Sequence, residues 1–222
     1  MTRTLILIPT QTERDVLQPL LKTAADTGDR VELCGFGLVA AAARTMQLIG
    51  DVHPERVILV GLAGTFSDRL PVGSATTFAE VACFGIGAGS GDRHQTAGNM
   101  GWNHLDLPAT QDRPEAVTVA DTIAIAGSVV SDETVPPPQL LSVAAASANR
   151  KDAAIRSRRF PQAVAEDMEG FGVALACRLT QAPLDIVRGI SNQAGDRDLS
   201  NWQIESALQA AAQIVLQLKS TW

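Results

Sequence analysis

Cysteine is scarce: the 222 residues hold only 3, too few for a disulfide framework. They are Cys34, Cys83 and Cys177, far apart and each inside an apolar run, which points to buried, reduced thiols. Histidine is equally thin. His53, His94 and His104 stand at no metal-ligand spacing with the cysteines, so no metal centre is expected. Positive charge is in deficit, with 18 Lys and Arg against 24 Asp and Glu and a formal net charge of −6. Without a basic stripe to displace counterions, nucleic acid is excluded as the main partner. The one basic cluster, Arg150, Lys151, Arg156, Arg158 and Arg159, reads as a solvated helix face. No apolar run approaches transmembrane length. The opening MTRTLILIPTQTERD is too short in its apolar part for a signal peptide and meets a charged helix start at once. A reducing cytoplasm is the expected compartment.

What is present describes a globular chain, 45% hydrophobic and 19% charged, of a length that fits one large α/β domain. Thr4 to Pro9 is a continuous apolar run, as a strand covered on both faces should be. Thr10 and Thr12 are N-cap candidates for a helix from Glu13, with Val16, Leu17, Leu20 and Leu21 on one face, Ala24 and Ala25 continuing it, and Pro19 inside it. Arg30 to Phe36 reads as a second strand, entering a helix through Gly35 and Gly37. Arg56 to Val60 reads as a third, closing on the small-residue turn GLAGTF. Val72 to Phe84 reads as one long strand. Phe84 to Asp112 is a long glycine-rich loop, and Ala116 to Gly127 is a strand pair or one bent strand. Pro136 to Pro138 form a rigid spacer. Gln139 to Arg159 reads as helical, Leu184 to Ser191 as a buried strand, and Ser200 to Lys219 as an amphipathic helix. No repeat or linker divides the chain, so the expectation is a single-domain mixed α/β sheet.

Two acidic features carry the chemistry. Glu13 falls in a first helical turn, either as a routine helix-start acid or as a carboxylate over the carboxyl end of the first strand. Glu166, Asp167 and Glu169 stand at the entry to an apolar helix, followed by the strand that ends in the polar turn Asn192 to Asp198. Carboxylates at such a junction suit a polyhydroxylated ligand. The Gly35, Gly37, Ala40 spacing meets only a loose dinucleotide fingerprint, and the acid expected after the following strand is missing.

Four blocks, GFGLVAAAA, GLAGTFSDRLPVGS, FPQAVAEDMEGFGVALAC and VRGISNQAGDRD, together resemble the nucleoside phosphorylase/nucleosidase family. The likeness is closest to the futalosine hydrolases, with the 5′-methylthioadenosine/S-adenosylhomocysteine nucleosidases as the neighbouring branch. The resemblance implies a mixed β-sheet sandwiched by helices, and cleavage of an N-glycosidic bond in a small purine nucleoside. It implies no cofactor, and it implies a homo-oligomer. Glu169 resembles the acid that holds the ribose hydroxyls, with Met168 beneath the sugar; Asp167 is counted with the substrate-binding residues, and Glu166 and Asp167 read as supporting acids to Glu169. Glu13 resembles the acid that activates the attacking water, Ala63 and Gly64 the turn near the ribosyl centre, and Phe160 an aromatic of the nucleoside pocket. Trp102, with Phe84, offers a surface for an aromatic 5′ tail, and Arg93 or His94 a cation for its carboxylate.

Asn192 departs from the methylthioadenosine branch, which has an aspartate there. An amide can donate to N7 and O6 of a 6-oxopurine but cannot supply a proton. That favours futalosine's hypoxanthine and leaves Asp196, Asp198 or a water as the proton donor. The competing expectations are a methylthioadenosine or adenosylhomocysteine nucleosidase and a catalytically silent nucleoside-binding module.

Overall fold

The computed structural model describes residues 3–21, 28–111, 113–125 and 138–220. In chain order the elements are β1 (Thr4–Ile8), α1 (Gln11–Leu20), β2 (Arg30–Leu33), α2 (Leu38–Val52), β3 (Arg56–Thr65), β4 (Ala75–Phe78), β5 (Glu80–Phe84), β6 (Gly87–Ala88) and β7 (Gln95–Thr96). They continue with β8 (Leu105–Leu107), β9 (Val117–Val119), β10 (Thr122–Ala124), β11 (Gln139–Val143), α3 (Arg150–Arg159), β12 (Ala163–Asp167), α4 (Gly170–Thr180), β13 (Leu184–Gln193) and α5 (Ile204–Ser220). Nine strands form one mixed sheet, ordered β10-β5-β11-β12-β3-β1-β2, with β13 paired to β3 and β4 off that path.

The sheet is organised on β3. Val57 to Leu59 pair in parallel with both β1 and β13, so those strands occupy opposite edges. Beyond β1, the end of β3 takes β12 in antiparallel pairing, Glu166 opposite Gly64. Along β13 the register shifts between Ile190 and Asn192, with Ser191 as the extra residue of a bulge.

The alternation of β1 explains the layers. Leu5 and Leu7 face a core shared with α2 and α4, while Ile6 and Ile8 face a second core shared with α1 and α5. Each fully buried Leu or Ile contributes roughly 1.5–3 kcal/mol, so a strand with apolar groups on both faces is fixed in the middle. The sheet is therefore sandwiched by helices, as expected. Among the described residues no helix is long and apolar enough to cross a membrane.

Several boundaries differ from the sequence reading. Gln139 to Val143 is not helical but a wholly buried strand, paired in parallel with β5 and β12. Its apolar run carries no helical period, and the helix begins only after Asn149, which caps it through Asp152 N–H at 3.0 Å. The long strand expected over Val72 to Phe84 breaks at Ala79, since β4 joins β13 while β5 joins β11 and β10. β3 continues through Gly61 to Thr65, because β13 pairs with the residues expected to turn. The glycine-rich loop contains the short β6–β7 pair and β8, which pairs with β9 beyond the loop. β9 and β10 do not pair with each other but with β8 and β5. α1 starts at Gln11 and accommodates Pro19 in its last turn. Ala24, Ala25, Asp112, Gly127, Pro136 and Pro137 lie outside the described residues. The basic cluster is not uniformly solvated: Arg156 is largely buried and pairs with Glu166 at 2.7 Å.

Candidate active site

The carboxyl-terminal ends of β3, β12 and β13 meet the starts of α1 and α4 around a cleft of about 270 Å³. Its wall includes Glu13, Ala63, Gly64, Asp167, Met168, Glu169 and Asn192, seven residues proposed from sequence. Sequence separations of up to 179 positions collapse here because the strands that carry them share β3 as a neighbour.

Glu169 sits at the N-cap position of α4 without capping it by its side chain. Its Oε1 accepts the backbone N–H of Gly37 at 3.0 Å, and its Oε2 accepts from Arg188 Nη2 at 3.3 Å. Gly37 is itself the N-cap of α2, at φ +83°, a conformation that L side chains rarely adopt, so glycine is what lets this N–H turn to the carboxylate. Burial pushes the Glu169 carboxyl up to about 7. Arg188 and the Gly37 N–H oppose that rise, while Asp167 and Glu13 add to it.

Arg188 is a functional candidate that the sequence reading did not single out. It is fully buried on β13 and donates Nε and Nη2 to Asp167 Oδ2 at 3.0 and 2.5 Å. Burial disfavours its charge, but Asp167, Glu169 and Glu13 together hold its proton above the ordinary arginine value. Its Nη1 has no hydrogen-bond partner among the described residues. A Cβ at Gly61 would lie 2.4 Å from that Nη1 and 2.7 Å from Glu13 Oε1, so the bare backbone of Gly61 lets the two approach. A charged residue inside LDIVRGIS was the available signal: such a strand tolerates a cation only when acids meet it.

Asp167 also lines the cleft, with its carboxylate engaged by the protein's own donors. Its side chain has no exposed surface: Oδ1 takes the Ser142 hydroxyl at 2.5 Å, and Oδ2 takes Arg188 and the Gly170 N–H. Glu166 is likewise committed, to Ser147 and Arg156.

Glu13 fills both roles open to it. It closes a capping box, Oε2 accepting from Thr10 N–H at 3.0 Å and Thr10 Oγ1 at 2.6 Å. Its Oε1 accepts Leu62 N–H at 2.9 Å and keeps a lone pair toward the cleft.

Asn192 lines the cleft beside Ser191, a consequence of the bulge. Its amide donates to Gln193 O at 2.8 Å and Asp196 O at 3.3 Å, and its Oδ1 accepts the Ser191 hydroxyl at 2.8 Å. Asp196 and Asp198 do not line the cleft. Their carboxylates bind Asn201, Ser200 and the Asp198 N–H within the same turn.

Two aromatics fall elsewhere than expected. Trp102 is 71% exposed and outside the cleft wall, because its turn is tied back to Ala97 O at 2.9 Å. Phe160 packs edge-on against Phe84 behind Met168 rather than lining the cleft. Phe36, Arg197 and Trp202 stand in the wall instead. Trp202 follows the site turn with no periodic pattern to mark it, so sequence gave it no role.

The phosphorylase superfamily is the family whose sequence pattern matches this chain, over residues 30–220. The chain belongs to that family. A futalosine hydrolase of Streptomyces coelicolor is 33% identical over 189 residues, covering 82% of this chain and 74% of that protein. A 5′-methylthioadenosine/S-adenosylhomocysteine nucleosidase of Colwellia psychrerythraea is 28% identical over 197 residues, covering 83% and 75%. The native structure of futalosine hydrolase from Helicobacter pylori superposes with a TM-score of 0.73 at 16% identity, covering 100% of this chain and 98% of that one, and shows the shared fold. As a phosphorylase-superfamily member whose relatives are named nucleosidases and hydrolases, this chain is an enzyme of nucleosidase type.

Proposed function

We propose that this enzyme hydrolyses the N-glycosidic bond of futalosine, a 6-oxopurine nucleoside with an extended aromatic 5′ group, releasing hypoxanthine. The observation that carries the reading is the pair of carboxylates Glu13 and Glu169 in one cleft, with the buried Arg188 bonded to Glu169. The futalosine hydrolase relative and the amide at position 192 support the choice of base.

Breaking a ribosyl–purine bond builds positive charge on the sugar and negative charge on the base. Ionised Glu169 accepts the 2′- and 3′-hydroxyls as charge-assisted bonds that tighten as the ring flattens. Glu13 Oε1 takes a proton from the attacking water, a step worth about 100- to 10,000-fold. Met168 floors the sugar site, and the Ala63–Gly64 backbone lets the ribosyl centre come near β3. Asn192 meets N7 and O6 by exchanging its 3.3 Å bond to Asp196 O for the base, stabilising the departing charge by a preset dipole. Asp196 and Asp198 are removed as proton donors by their own bonding, which leaves water. Hydrolysis is favoured over phosphorolysis because Arg188 is bonded to carboxylates, and Arg44, half-buried on α2, is taken by Glu32 and Gln47.

A second reading is methylthioadenosine or adenosylhomocysteine cleavage, in which Asn192 Oδ1, already accepting the Ser191 hydroxyl, uses its second lone pair for an adenine amino group while both amide hydrogens stay on main-chain carbonyls. Incubation with futalosine, inosine and methylthioadenosine, with and without phosphate, separates them by the base released. Hypoxanthine from futalosine independent of phosphate is expected. Adenine alone establishes the second reading, and binding without release of any base establishes a silent module.

A further inference from the structure

Four carboxylic acids line the cleft, Glu13, Glu166, Asp167 and Glu169, and each is engaged with a donor of its own. A single cation lines it, Arg197. Asp196 and Asp198 flank Arg197 in sequence, yet neither pairs with it. Asp196 binds Asn201 and the Asp198 N–H, and Asp198 binds Ser200 twice. Arg197 has no hydrogen bond or ion pair among the described residues. Its guanidinium instead lies 5.0 Å over the Trp202 ring, whose Nε1 is anchored on Asp196 O at 3.2 Å.

Position says what such a pair meets. The reacting groups Glu13, Glu169 and Asn192 are buried, whereas Arg197 and Phe36 are exposed, so this pair stands at the outer part of the wall. A guanidinium set over an indole keeps N–H donors open for a planar anion, and the indole keeps one face for a ring. An exposed arginine without an acid, in a cleft whose every acid is already satisfied, is matched by a carboxylate arriving with the ligand.

We propose that Arg197 and Trp202 are the residues that select the substrate's 5′ extension, the guanidinium meeting its carboxylate and the indole its aromatic ring. The assignment rests on the nucleoside hydrolase reading and adds the charge of the tail as the selected feature. It moves recognition of the tail from the glycine-rich loop, where Trp102 stands apart, to the turn after β13.

The test compares futalosine with its methyl ester, which differs in the tail's charge, and with inosine, which has no tail. Wild type, Arg197→Ala and Arg197→Glu are assayed on all three by released hypoxanthine. For Arg197→Ala, kcat/KM on futalosine should fall roughly 5- to 20-fold, mainly through KM, as suits a partly exposed charged contact. The ester and inosine should change by less than about twofold, and Arg197→Glu should widen the gap on futalosine alone. Equal losses on futalosine and its ester, or no loss on either, overturn the proposal while leaving the nucleosidase reading intact. Wild type that releases no hypoxanthine from any of the three overturns both, and that outcome is recognised before any variant is compared.

Discussion

Glu169→Gln, followed over pH, probes the centre of the site. The ionised Glu169 carboxylate has been moved from water to a cavity where its proton is held up to about 7 rather than 4.5. At about 1.36 kcal/mol per unit, keeping it charged in the fold costs about 3 kcal/mol. The sign follows from the direction of the shift. A folded pKa above the unfolded one makes the folded state bind more protons between the two values, so stability present below 4.5 is lost as pH climbs through 7. Urea unfolding of wild type and Glu169→Gln at about pH 5 and about pH 8.5 should show wild type losing about 2–3 kcal/mol relative to the variant across that interval. Hydrolysis has the opposite dependence, because the charged form accepts the ribose hydroxyls. The wild-type kcat/KM should rise with pH up to a limb near 7, and in the variant that limb should vanish along with most of the activity. Parallel stability curves for the two proteins, or a wild-type limb near the ordinary carboxylate value, would refute the electrostatics derived for this cluster.

Arg188→Ala leaves Asp167 and Glu169 buried without their cation, and chemical denaturation should report a loss of about 3–5 kcal/mol. Gly61→Ala places a methyl group against Arg188 Nη1 and Glu13 Oε1, so thermal melts should show about 1–3 kcal/mol of destabilisation, with kcat reduced more than KM is raised. Asn192→Asp should lower the preference for a 6-oxopurine over an adenine nucleoside, read by chromatography of the released bases; an unchanged ratio removes Asn192 from base selection. Trp102→Ala should leave kcat/KM on futalosine within about twofold, since the indole is exposed and away from the cleft.

The parts of the molecule legible in the sequence are those set by one residue pattern at a time. TLILI could only be a doubly covered strand, and the acids before GFGVALAC had to sit at a helix entry. Glu13 was marked by its place in a first helical turn, and only the family resemblance separated Glu169 from Glu166 and Asp167. What stayed hidden depends on partners far along the chain. QLLSV is uniformly apolar over five residues, and nothing local distinguishes a buried strand from a buried helix turn. Asp167 and Glu169 are alike on paper, and only the reach of Arg188 from β13 makes one a clamp and leaves the other beside the cavity. Trp102 and Trp202 posed the same difficulty. Each follows a polar turn, and which indole meets the cleft is decided by the packing of the turn after β13.

The bulge at Ser191 gives the end of β13 an unusual freedom. A regular strand shows every second residue to one side, so a change of ligand contact there must skip a position. Here two neighbours in sequence, Ser191 and Asn192, both open into the cavity and touch one another through a 2.8 Å bond. The hydroxyl can turn the amide's acceptor, and a change at either position re-tunes the same face toward donor or acceptor character. On the proposed reading, base preference is thus set by an adjacent pair of codons, at the end of a strand whose residues from Leu184 to Ile190 are all buried.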